Sequence, residues 1–164
     1  MKNYLLLLLA LTTSKALSND LKTQTENEIL SALKCEKKDS SEILNSFRHL
    51  KQKKSELEKV GLTYVETGED LDEKITITFV NPVQFYGSKT QKAELTVDGD
   101  FIVSAVFHGD PEKIIQALKL KKFKGQKTND YLNMKPSKTD CPPTQRLRKI
   151  NSQEFKFGCG WCNG

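Results

Sequence analysis

From Lys74 to Phe107 the sequence runs to a period of two, and this alternation restricts the chain to folds built on an antiparallel sheet. Ile75, Ile77 and Phe79 alternate with Thr76 and Thr78, and Ala93, Leu95 and Val97 alternate with Lys92, Glu94 and Thr96. Phe101, Val103, Ala105 and Phe107 resume the pattern after Asp98-Gly99. Apolar residues two apart fall on one face of a strand. Asp-Gly between two such segments supplies the positive φ angles of a tight hairpin turn. Residues 90–108 are therefore expected as an antiparallel hairpin with 74–86 paired beside it. Asn81-Pro82 should break or bulge that strand, because Pro has no N–H to donate.

Helical spacing flanks the strands. Ile29, Leu30 and Leu33 predict a helix over 25–34, after a polar and loose stretch at 19–26. Asp39-Ser40-Ser41-Glu42 is a capping-box-like start. Ile43, Leu44, Phe47 and Leu50 then recur at i, i+1, i+4 and i+7. This second helix is expected to run through Leu57 to Val60 and stop at Gly61, although 51–54 supply no core position. Asp110-Pro111 starts a third helix, which buries Ile114, Ile115, Ala117 and Leu118 and ends near Leu120. Residues 125–145 read as polar and irregular. Segments 146–150 and 154–159, with Phe155 and Phe157 alternating, predict a closing hairpin. The expectation is one α+β domain over 19–164, with two N-terminal helices, an antiparallel β-meander, a third helix and a C-terminal hairpin.

Four cysteines, Cys35, Cys141, Cys159 and Cys162, are expected to staple this domain with two disulfides. A bridge from Cys35 into the C-terminal segment closes a long loop and constrains the unfolded chain most. Cys35–Cys159 with Cys141–Cys162 is the favoured pairing, and the swapped pairing stays open. Cys159-Gly160-Trp161-Cys162 is also a C-x-x-C sequence. It carries the alternative reading of a thiol–disulfide oxidoreductase, with Cys159 attacking and Cys162 resolving. No βαβ unit surrounds the motif, and no helix is expected to start at it. Zinc ligation by the four sulfurs is disfavoured where disulfides form, so neither metal nor cofactor is expected.

The first residues place the chain outside the cytosol. Lys2, the apolar run over 5–11 and the small residues Ala16 and Ser18 predict a signal peptide at 1–18. That run is too short to span a bilayer, and no later segment is longer, so no transmembrane segment is expected in the mature chain. The expected location is periplasmic or secreted. The leader removes Lys2 and Lys15 and no acid, which takes the net charge from +5 to +3. Only three arginines are present, Arg48, Arg146 and Arg148. Base recognition leans on Arg, so a nucleic-acid partner is not expected.

Nucleophile-elbow, zinc-protease, P-loop and dinucleotide motifs are all missing from the sequence. His49 and His108 each stand alone, and the acids of 69–73 lack the Ca²⁺-loop spacing. The expected function is thus a non-enzymatic binding or inhibitor-type protein, the immunity type included, directed at an unknown protein or envelope component. Its candidate surface is the cationic run Lys119, Lys121, Lys122, Phe123 and Lys124, with Trp161 exposed near the end of the chain.

Overall fold

The computed structural model describes residues 20–37, 39–69, 72–98, 100–123, 130–135 and 142–162. The predicted leader, Cys141 and Lys124 lie outside them. The first helix, α1, occupies 20–33 and so includes residues expected to be loose. Leu21 and Thr25 extend the stripe of Ile29 and Leu33 toward the N-terminus in two further steps of four. Thr25 is buried, and its hydroxyl donates back to the Leu21 carbonyl at 2.9 Å. Helix α1 ends with the Glu36 N–H on the Ser31 carbonyl and the Cys35 N–H on the Ala32 carbonyl, the paired bonds of a Schellman cap. Cys35 therefore holds the left-handed position, at φ 56°, where Gly is favoured.

Helix α2 (Ser40–Gln52) starts as expected, with the Asp39 carboxylate accepting from the Glu42 N–H at 2.9 Å. It buries Ile43, Phe47 and Leu50. The expected continuous helix is interrupted at Lys53 and resumes as α3 (Lys54–Lys59). Residues 51–54 offer nothing to bury, and the break lets Leu57 reach the core. Gly61, at φ 79°, ends it.

Among the described residues eight antiparallel strands follow: β1 (Leu62–Thr67), β2 (Lys74–Phe85), β3 (Ser88–Asp98), β4 (Asp100–His108), β5 (Lys121–Lys122), β6 (Asp130–Met134), β7 (Thr144–Lys149) and β8 (Glu154–Cys162). Helix α4 (Pro111–Ala117) lies between β4 and β5, with Asp110 accepting from the Glu112 N–H at 3.0 Å. It stops before Leu120, and Lys119 turns the chain at φ 52°. The strand order is β1-β2-β3-β4-β8-β7-β6-β5. Two four-stranded meanders thus meet in the middle, where β4 pairs with β8. The predicted hairpins appear as β3–β4 and β7–β8. Asn81-Pro82 falls inside a register shift between Thr78 and Val83. Three strands were not expected. β1 has only two inward apolar residues, β5 replaces the predicted helix end at Lys121-Lys122, and β6 lies in the stretch read as irregular.

The helices cover one face of this sheet. Ile75, Ile77, Leu95, Val103, Phe107, Leu147, Phe155 and Phe157 bury that face completely or nearly so. Phe107 stacks on Phe155 at 5.6 Å and leans on Phe85 at 5.4 Å. Two links pin the end of α1 to the centre of the sheet. One is the Cys35–Cys159 disulfide, and the other is Gln145 Nε2 donating to the Lys34 carbonyl at 2.7 Å. Of Cys162 only the backbone place in β8 is described. Among the described residues no helix is long and apolar enough to cross a membrane.

A candidate anion-binding groove on the open sheet face

Among the described residues the second face of the sheet carries no helix, and strand register decides which residues meet there. Asp130 lies opposite Arg148, and Leu132 opposite Arg146. Arg146 faces Gly158 and Arg148 faces Lys156 across β7 and β8. On the other side of β8, Ser104 faces Gly158 and Ile102 faces Gly160. Two glycines thus follow one another on this face of β8, where the neighbouring strands carry side chains. The result is a depression of about 510 Å³ over β8, walled by Arg146, Arg148, Lys156, Ile102, Leu132 and Phe123.

The two glycines do different things. A Cβ on Gly158 would lie 2.2 Å from the Val103 carbonyl oxygen, so its absence allows β4 and β8 to approach closely. A Cβ on Gly160 would touch only Ile102, at 3.8 Å. That position is open and leaves the groove its depth.

One wall is electrostatically fixed. Asp130 is buried, its side chain only 2% exposed. It accepts from Arg148 Nε at 2.8 Å and Nη2 at 3.1 Å, and from Arg146 Nε at 3.1 Å and Nη2. The Arg148 hydrogen bonds, followed by those of Arg146, outweigh desolvation and hold the Asp130 carboxyl below its ordinary range. Both arginine side chains remain about half exposed, at 51% and 54%. Each has five N–H donors and commits two bonds to Asp130, so three donors per arginine are not taken up by that carboxylate. Among the described lining residues, three cations and the acids Asp100 and Asp130 leave the groove one net positive charge. The arrangement is suited to holding an anion beside an apolar surface.

The structure brings some of the sequence-derived candidates to this groove. Phe123 lines it and is 40% exposed. Lys121, opposite Leu132, belongs to the same face, whereas Lys122, opposite Tyr131, belongs to the other. Lys119 is exposed at the turn after α4. Trp161 corrects the expectation of an exposed tail anchor. It is 4% exposed, because β8 inserts between β4 and β7 and directs Trp161 to the helix-covered face with Phe101. The same insertion makes Cys159-Gly160-Trp161-Cys162 the end of a central strand. Cys159 is bonded to Cys35, 124 positions away, so its sulfur is engaged by the scaffold and lies at no helix N-terminus. His49 and His108 are exposed and outside the groove. Among the described residues no group of three or more His, Cys, Asp or Glu is placed to hold a metal.

Asp130, Arg146, Arg148, Gly158 and Gly160 were not singled out in the sequence. The available signal was Arg-x-Arg at 146–148, which places two of the three arginines on one face of a strand. Comparison of the chain with family models, with curated proteins and with solved structures returns no match.

Proposed function

We propose that the protein is an exported, non-enzymatic binding module of the inhibitor or immunity type, and that it engages a protein or envelope component through the groove. The observation that carries this reading is the guanidinium pair held on buried Asp130 beside an apolar floor, on a sheet face the helices leave open. Arginines anchored in this way present their remaining donors with little rotamer entropy left to lose on binding. Export is supported by the leader-like first 18 residues and by the Cys35–Cys159 bridge, since such bonds persist in oxidising compartments.

The test is affinity capture from the envelope extract of the source, with the oxidised mature chain and its Gly160→Leu variant immobilised in parallel. Leu at 160 fills the groove from a position with free space above it and suits a strand. A partner retained by the wild type and reduced roughly tenfold or more by Gly160→Leu is the expected result. Equal retention by both forms would place binding elsewhere and contradict the proposal.

A further inference from the structure

We infer that the groove receives a small amphipathic carboxylate, with its head on Arg146 and Arg148 and its apolar body along Ile102, Leu132 and Phe123. This inference rests on the groove being the binding site. Four observations converge on that ligand chemistry.

The first is size. A concavity of about 510 Å³ is of small-molecule dimensions and holds a free acid, or the acyl part of an envelope component, of that size. The second is charge. The described lining carries one net positive charge, which a carboxylate monoanion balances, while a phosphate monoester brings close to two negative charges at neutral pH. The guanidinium fork also matches the planar carboxylate with two parallel N–H donors. The third is the floor. Ile102 and Phe123 are 43% and 40% exposed on this face, so an apolar body laid on them removes hydrophobic surface from water.

The fourth observation separates a free acid from the C-terminus of a peptide. Extended peptides gain affinity by pairing with unsatisfied strand edges. Strands β8 and β7 have neighbours on both sides, and β6 pairs β7 along its length and β5 at Tyr131 and Leu132, so the central strands under the groove offer a peptide backbone little free ladder to pair with. The groove's cations Arg146, Arg148 and Lys156 gather toward the Lys156–Gly158 end of β8, which suits a head group with a hydrocarbon body.

The experiment is isothermal titration of the oxidised mature chain with decanoate below its micelle concentration, with decanol and a peptide ending in Leu as comparators. The expected result is saturable binding of one decanoate per chain, roughly tenfold or more tighter than decanol. Gly160→Leu abolishes it. Arg148→Gln weakens it by roughly tenfold, the loss of one charge-assisted bond, with folding of both variants checked by circular dichroism. Four results overturn the inference: no saturation with decanoate, decanol bound equally well, Gly160→Leu binding like the wild type, or the peptide bound more tightly than decanoate. A groove-dependent partner captured from the envelope while decanoate fails would sink the carboxylate and leave the binding-module reading standing. Loss of both results would remove both.

Discussion

Replacing Cys35 and Cys159 together by Ser is expected to lower the unfolding free energy by about 4–5 kcal/mol. The bridge spans 124 positions of sequence, and the cost of closing a loop grows with the logarithm of its length. A bond between neighbours in sequence would constrain far less. The double replacement leaves no odd thiol at the site, and Ser at 35 keeps the same left-handed backbone demand that Cys35 already meets. The difference therefore reports the cross-link more than local strain. For a chain of this size the change corresponds to a melting temperature lower by about 10–20 °C. Calorimetry of wild type and variant, both unreduced, measures it. A shift of only a degree or two would show that the bridge contributes little. The Gln145–Lys34 hydrogen bond and the packing of Ile29 and Leu33 would then be what keeps α1 on the sheet.

The second large effect concerns the wall of the groove. Arg146→Gln or Arg148→Gln alone is expected to cost about 1 kcal/mol, because the remaining arginine still pairs with Asp130. The double variant is expected to cost about 3–5 kcal/mol, well beyond the sum, because it leaves a buried carboxylate with no cation. The coupling also sets a pH dependence. The Arg148 hydrogen bonds, then those of Arg146, depress the folded-state pKa of Asp130 below its value in the unfolded chain. The stability this contributes is therefore fully present above about pH 4, the unfolded value, and is lost as pH falls through the folded value. Urea melts from pH 7 downward should show a loss of stability in the wild type below about pH 4. That component should be smaller in Asp130→Asn, which has no carboxylate to titrate. Additive single-variant costs would contradict the coupling. So would identical acid profiles for wild type and Asp130→Asn.

How far the fold was legible depended on whether local chemistry and tertiary packing agreed. The β3–β4 hairpin was readable because a strict period of two and an Asp-Gly turn point the same way. The starts of α2 and α4 were readable because Asp39 and Asp110 cap them in the ordinary manner. Strand β1 was not readable. Only Leu62 and Tyr64 point inward, and Val65, 45% exposed, blurs the alternation. Strand β6 was hidden for a different reason. Its most buried residue is Asp130, and a buried acid reads as loop until its arginines are found.

The groove was harder still to read. Ile102, Asp130, Arg146 and Gly160 come from four strands that are adjacent only in the finished sheet order, so no spacing in the sequence announces them. The tail shows how one assumption propagates. Phe155, Phe157, Cys159 and Trp161 alternate with Lys156, Gly158 and Gly160, which is a strand pattern with glycines in the polar register. Taken as a tail it suggests an exposed Trp161. Placed between β4 and β7, it becomes one of the two central strands of the sheet, with sulfur and indole on one side and the groove on the other.

The proposed export would let Cys35–Cys159 form and clamp the groove-bearing strand to α1. Peptide mapping of the natively isolated protein by mass spectrometry, under non-reducing conditions, addresses that directly. The account predicts a chain that begins at Asn19 and a cross-linked peptide pair joining Cys35 to Cys159. A product that retains residues 1–18 with Cys35 and Cys159 as free thiols would contradict it.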